Sequence, residues 1–156
     1  MTKRFRFFAT LATLSLACGC SSLDNCPDSR KPIEITTGRS DKETLRYESA
    51  PYDVLDAFPA KTALWFKHDL GVVPAPPRVY LSFSWHGTNG KDGGSITETA
   101  GNQSLIDCVD AHYIVVRNDT CEPEFHILVT SEGESLFTDP DDPHYNDPDA
   151  CGEMPR

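Results

Sequence analysis

Alternation of apolar and polar positions is the clearest pattern in this chain, and it is strongest over residues 78–86. Val79, Leu81, Phe83 and Trp85 fall on one face of that segment, and the residues between them are a tyrosine and two serines. A period of two residues is typical of a strand with one buried face. The segment therefore predicts a half-buried β-strand whose inner face is apolar.

Shorter segments repeat this pattern along the chain. A second strand is predicted at 62–68, where Leu64 and Phe66 alternate with their neighbours. Further strands are predicted around Ile33/Ile35, Leu45/Tyr47, Ile96, Ile114/Val116 and Phe125/Ile127/Val129. A turn or two of helix is expected only from Tyr52 to Phe58, after Pro51. About seven short strands with turn residues between them predict an all-β fold, an antiparallel β-sandwich.

The alternation ends near residue 131, so the predicted sandwich domain covers residues 31–131. Residues 132–156 are rich in aspartate and proline, and such a segment cannot bury apolar surface. Aspartate oxygens suit calcium, but the glycine and glutamate of an EF-hand loop are absent, and prolines interrupt the run. We therefore expect an irregular, solvated acidic tail and no metal site.

The first 19 residues have the features of an export signal. Lys3, Arg4 and Arg6 precede an uncharged, mostly apolar stretch from Phe7 to Ala17. A helix needs about 20 apolar residues to cross a bilayer, and this stretch is about half as long. It therefore predicts a cleaved signal peptide and not a membrane anchor.

The end of the signal, Ala17-Cys18-Gly19-Cys20-Ser21, resembles the lipobox of bacterial lipoprotein precursors, in which a small residue precedes a cysteine. The resemblance implies that the cysteine thiol receives a diacylglyceryl group and that the peptide is cut just before it. It also implies that the new amine is acylated, typically with palmitate. Cys20 is the predicted lipidation site and Cys18 the alternative, because Gly-Cys-Ser-Ser followed by polar chain looks like the start of a lipoprotein tether, here residues 20–30. An ordinary signal peptide, with both cysteines in disulfides, is the competing interpretation.

Retention on the inner membrane is signalled, in that family, by an aspartate directly after the lipidated cysteine. Ser21 gives no such signal, so the resemblance implies a protein of the cell envelope anchored by lipid to the outer membrane. Removal of residues 1–19 takes away three cations and no anion, so a net charge of −10 becomes −13. Such a surface argues against nucleic acid as a partner, because phosphate binding needs clustered cations.

Four cysteines lie beyond the lipobox: Cys26, Cys108, Cys121 and Cys151. An even number in an exported chain predicts two disulfides. Zinc is not indicated, because no pair has the spacing of a zinc knuckle. Of the three pairings, we expect Cys108–Cys121 and Cys26–Cys151, of which the second would tie the tail back beside the tether.

Candidate chemistry is sparse in this sequence. No His-Glu-x-x-His, Gly-x-Ser-x-Gly or phosphate-cradling glycine motif is present, so we expect neither an enzyme nor a bound cofactor. The loop at 87–94 contains Asn-Gly and Asp-Gly, the best hairpin dipeptides, but it is too long for a tight turn. The candidate binding residues are His86, Asn89 and Asp92 in or beside this loop, and Tyr80 on the outward face of the best strand.

The predicted function is a lipid-anchored, non-enzymatic binding or structural module. It would present its loops and outward aromatic side chains to another envelope protein or to a glycan. The alternative is a small envelope hydrolase or metal-dependent enzyme whose site is assembled from dispersed histidines and aspartates. A deep pocket that joins two histidines and a carboxylate would favour this alternative.

Overall fold

The computed structural model describes residues 26, 28–84, 95–135 and 149–155. Within these ranges the chain forms ten strands and one 3₁₀ turn, Gly101–Gln103. The strands are β1 (Ile33–Ile35), β2 (Arg39–Asp41), β3 (Arg46–Glu48), β4 (Asp56–Phe58), β5 (Thr62–Lys67), β6 (Arg78–Ser82), β7 (Thr97–Thr99), β8 (Leu105–Val109), β9 (Tyr113–Asn118) and β10 (Phe125–Glu132). In this part of the chain, no helix is long and apolar enough to span a membrane.

The strands form two packed sheets. The four-stranded sheet has the order β1-β5-β9-β8, and the six-stranded sheet has the order β2-β3-β10-β6-β7, with β4 also pairing with β10. All pairs are antiparallel except β1 with β5. The predicted all-β, mainly antiparallel class is confirmed.

The strand number is higher than the predicted seven, because β2, β4 and β8 carry no clear alternation. β2 is Arg-Ser-Asp and has no apolar residue. β8 has a register shift between Ile106 and Cys108, and a β-bulge of this kind breaks the period of two. These strands are formed by pairing with neighbours and not by a local apolar pattern.

The core lies between the sheets and is built from the predicted inward faces. Leu64 and Phe66 of β5 are fully buried. The same cluster contains Val79, Leu81, Ile114, Val116, Phe125, Ile127, Val129, Tyr47, Phe58 and Leu70. The period-two reading of β5, β6, β9 and β10 is therefore confirmed.

Two local predictions are wrong. β6 ends at Ser82, so Phe83 leaves the core face and is 69% exposed, with its ring 5.1 Å from that of Phe125. The segment predicted as a helix forms a turn closed by the Val54 N–H and the Pro51 carbonyl, and then β4. β4 pairs with the start of β10, with Phe58 opposite Phe125, and this pairing adds the backbone of β4 to the six-stranded sheet.

Two disulfides are present, as predicted, but the expected pairing is wrong. Cys26 is bonded to Cys121, and Cys108 is bonded to Cys151. Cys108 of β8 lies opposite Val115, and β9 continues about 10 Å beyond that residue before the chain reaches Cys121. A disulfide needs Cα atoms within about 7 Å, so the register of the β8–β9 pair excludes a Cys108–Cys121 bond.

Candidate functional site

The predicted site residues are only partly covered by the structure. His86, Asn89 and Asp92 lie outside the described residues, as do Cys18, Cys20, the rest of the signal and most of the acidic tail. Tyr80 is in β6, on the face opposite Val79 and Leu81, so its predicted outward position is confirmed. His126 also lies on the non-core face, half-buried in β10.

Tyr80 lines a groove of about 480 Å³ on the outer face of the six-stranded sheet, which we call the sheet groove. It crosses β3, β10 and β6, since Thr130 of β10 pairs with Glu48 on one side and Arg78 on the other. The aromatic and charged residues that line it are Tyr52, Tyr80, Arg46, Arg78, Glu48 and Glu132.

The charged side chains of the sheet groove are held by one another. The Arg46 guanidinium donates to the Glu48 carboxylate at 2.7 Å. A hydrogen bond with the Tyr80 hydroxyl raises the pKa of Arg78, and the nearby Glu98 carboxylate raises it further. These contacts link Arg46 to Glu48 and Arg78 to Tyr80 along the groove.

A second groove, of about 730 Å³, lies where the two sheets meet at one end of the molecule, and we call it the end groove. Its walls come from the β1–β2 segment, the β2–β3 turn, the residues that follow β5, and the β8–β9 turn. The lining residues are Thr36, Gly38, Ser40, Lys42, Lys67, His68, Asp69, Gly71, Ala111 and His112. The Asp69 N–H donates to the Ser40 hydroxyl at 3.1 Å and joins the two sheets here.

A buried carboxylate organises the β8–β9 turn at this end. Asp110 is 1% exposed, and one of its oxygens accepts the N–H groups of His112 and Tyr113, each at 2.7 Å. The other oxygen accepts the Cys151 N–H at 3.0 Å. The side chain thus fixes the turn that carries His112 and also holds the C-terminal segment against it.

His68 lies at the floor of the end groove and is 2% exposed. Its Nε2 is 3.0 Å from the Asp110 carbonyl oxygen, which only accepts, so Nε2 is assigned the proton and Nδ1 is the acceptor of a neutral ring. Burial lowers the pKa of His68 and favours this neutral form. Nδ1 has no partner among the described residues.

Tyr47 is packed beside His68, with ring centroids 5.9 Å apart. Its hydroxyl is buried without a partner in the described part of the chain, and it lies against Gly38. A Cβ at Gly38 would be 2.4 Å from that oxygen, so only glycine fits there. Burial, and secondarily the charge of Asp56, raise the pKa of Tyr47, while burial raises the pKa of Asp56 to about 6.

Two lysines and one carboxylate line the end groove among the described residues. Lys42 and Lys67 form no ion pair within the residues that the structure describes. The ion pairs there are Arg46–Glu48, Lys61–Asp119, His112–Asp149 and Arg117–Asp107. His112 Nε2 is 3.4 Å from an Asp149 oxygen. Among the described lining residues, Asp69 supplies the one carboxylate.

The arrangement bears on the enzyme alternative. His68, His112 and Asp69 all line the end groove, although no sequence pattern places them together. The parity of β5 carried a signal for His68, because residues 64, 66 and 68 share the inward face. In the described part of the chain, one group has metal-ligand geometry, Cys108, Asp110 and Cys151, and its two sulfurs are bonded to each other. A disulfide has no thiolate to offer a metal.

Comparison with protein-family models, with curated proteins and with solved structures found no match to this chain. Within the described residues, the fold is an all-β, disulfide-bonded domain, and polar and charged side chains line the sheet groove and the end groove. What these sites bind is therefore inferred from their own chemistry.

Proposed function

We propose that this chain is a lipid-anchored protein of the cell envelope, placed in the outer membrane, whose β-sandwich is a non-enzymatic binding module for another envelope protein or a glycan. The observation that carries the binding role is the sheet groove, where two tyrosines and two arginines are gathered on the outer face of one sheet. The lipobox-like Cys20 supports the anchor, and two disulfides are consistent with an oxidising compartment.

The chemistry of the sheet groove suits recognition of a polar partner. Tyrosine and arginine are enriched at binding surfaces. Tyrosine offers a large contact area and loses few rotamers on binding, and arginine offers a rigid set of hydrogen-bond donors. Tyr52 is 44% exposed and Tyr80 is half-buried, so ring faces and hydroxyls are both accessible to a sugar or a side chain. The volume lies in the range usual for ligand sites.

The test uses the full chain in intact envelopes and compares three proteins. Wild type, Tyr80→Ala and the control Phe83→Ala are cross-linked, purified and read by mass spectrometry, and each is also tested for binding to purified peptidoglycan sacculi. Phe83 is an exposed aromatic residue outside the sheet groove. We expect wild type and Phe83→Ala to capture the same protein or bind the same glycan, and Tyr80→Ala to lose it. Equal capture by Tyr80→Ala would contradict the role of the groove.

A hydrolase is the second candidate, because the end groove joins His68 and His112 with the Asp69 carboxylate. It ranks lower for a geometric reason. His68 Nε2 is held by the Asp110 carbonyl and Nδ1 is enclosed, so neither nitrogen is placed to exchange protons with a substrate. The Ser40 hydroxyl, one of two hydroxyls among the described lining residues, accepts the Asp69 N–H. Turnover of an ester or phosphoester panel by wild type, lost in His112→Ala, would reverse this ranking.

A further inference from the structure

The end groove presents cations on a chain that is strongly acidic overall. Lys42 and Lys67 lie in its lining without a carboxylate partner among the described residues, although the chain carries ten more anions than cations. We propose that the end groove binds a small oxyanion, a phosphate or carboxylate group, between Lys42, Lys67 and His112. This site is separate from the sheet groove and goes beyond the proposed function.

The three basic residues are held by different parts of the fold. Lys42 is in the β2–β3 turn, which the Asp41 carboxylate closes by accepting the N–H groups of Glu43 at 2.9 Å and Thr44 at 3.3 Å. Hydrogen bonds, first that of the Thr44 side chain, lower the pKa of Asp41 and keep it an acceptor. Lys67 is the last residue of β5, opposite Tyr113. The convergence therefore depends on the packing of both sheets.

His112 completes the set from the β8–β9 turn, where an incoming anion would have to displace the Asp149 carboxylate, which lies 3.4 Å from His112 Nε2. Its backbone N–H is bound by the buried Asp110 carboxylate, so the position of the ring relative to β5 is fixed at its base. His68, next to Lys67 in the chain, is connected to the same turn twice, through Nε2 and through its own N–H, which donates to the His112 carbonyl at 2.9 Å. These buried contacts fix the backbone that carries the site, while the exposed side chains of Lys42 and Lys67 lose rotamer freedom when they bind an ion.

The floor of the groove retains unused hydrogen-bonding capacity. His68 Nδ1 is an acceptor without a donor, and the Tyr47 hydroxyl beneath Gly38 has no partner among the described residues. Buried polar atoms are nearly always satisfied, so we expect an ordered water at each of these two enclosed atoms, beneath the groove.

The experiment titrates the ¹⁵N-labelled full chain, purified in detergent micelles, with inorganic phosphate or with citrate, against sodium chloride of equal ionic strength. We expect saturable shifts at the amides of Lys42, Asp69 and His112 with at least one of the two anions and none with chloride. The Lys42→Ala/Lys67→Ala variant should bind roughly tenfold more weakly or worse, since charge-assisted bonds are lost. Lys31→Ala, an exposed lysine outside the groove, should bind like wild type.

Each outcome decides the proposal. Saturation by phosphate alone assigns a phosphate site, and saturation by citrate alone assigns a carboxylate site. Shifts that chloride reproduces, no saturation with either anion, or an unchanged affinity in the double variant would overturn the proposal. If the double variant melts below wild type, the single variants Lys42→Gln and Lys67→Gln replace it. Tyr80→Ala should leave anion binding unchanged, so that failure of the sheet groove and failure of this site are distinguishable.

Discussion

Replacement of Asp110 tests whether its buried carboxylate organises one end of this fold. In Asp110→Ala the N–H groups of His112, Tyr113 and Cys151 lose their acceptor, in a place that was 1% exposed. In Asp110→Asn the amide oxygen still accepts the first two N–H groups, but the amide nitrogen faces the Cys151 N–H and cannot accept it. Asp110→Ala therefore removes three hydrogen bonds, and Asp110→Asn removes one hydrogen bond from the same site.

The expected costs follow from that difference. A hydrogen bond to a charged acceptor contributes about 1.5 to 3 kcal/mol, and such bonds are not additive when they share one acceptor. We therefore expect Asp110→Ala to lower the free energy of unfolding by about 4 kcal/mol and Asp110→Asn by about 1.5 kcal/mol. Asp107→Ala is the matched control three residues away. Its exposed pair with Arg117 is expected to contribute less than about 1 kcal/mol.

The assay is urea unfolding of the oxidised protein in a Trp85→Phe background, so that the fluorescence comes from Trp65, which is 7% exposed in β5. Equal m-values across the variants would show that the same surface unfolds in each. The reasoning is refuted if Asp110→Ala costs no more than Asp107→Ala, or if Asp110→Asn costs as much as Asp110→Ala.

Three further predictions address the anchor, the disulfides and a buried acid. In phase partition, wild type should enter the detergent phase and the Cys18→Ala/Cys20→Ala double variant should not. Cys20→Ala alone should be sufficient for this loss. A double variant that still partitions with detergent would contradict the lipid anchor. The other four cysteines should resist alkylation until the protein is reduced, and reduction should lower the melting temperature. The two disulfides close loops of 95 and 43 residues, and each contributes about 4 to 5 kcal/mol in the chain-entropy model. Quantitative alkylation of any of the four in the native protein would disprove this. Burial raises the pKa of Asp56 to about 6, above its value in the unfolded chain. The folded state therefore binds the Asp56 proton more tightly than the unfolded state does. As the pH rises from about 4 through 6, loss of this proton lowers the stability of the fold. Asp56→Asn should therefore be more stable than wild type at pH 8, by about 1 kcal/mol after allowance for partial exposure, and should lose that advantage at pH 4. An advantage that does not change with pH would contradict the raised pKa of Asp56.

The sequence was informative where one face of a strand is apolar and uninformative where structure comes from pairing. The inward positions of β5, β6, β9 and β10 follow from alternation alone, whereas β2 has no apolar residue and the sequence around β4 predicts a helix. The disulfide partners depend on the register of β8 against β9, which no local pattern encodes. Physical proximity across the sheets had to be known before the cysteines could be paired.

The candidate sites divide in the same way. The outward direction of Tyr80 was predictable, because a single strand determines it. The end groove was not, because its lining comes from three segments separated by about 30 to 40 residues, around Ser40, His68 and His112. Their meeting is a property of the packing of the two sheets and not of any motif.

The Cys26–Cys121 bond has a consequence for how the domain would stand on a membrane. If Cys20 carries the lipid, five residues lie between it and Cys26, and such a segment reaches at most about 20 Å. Cys121 follows the last residue of β9, whereas His112 of the end groove precedes the first, so the six-residue strand separates them by about another 20 Å. The bond would then define a membrane-proximal end and leave the end groove at the distal end. At several times the Debye length of about 8 Å, Lys42 and Lys67 would be screened from the phosphates of the lipid headgroups and free for a soluble anion.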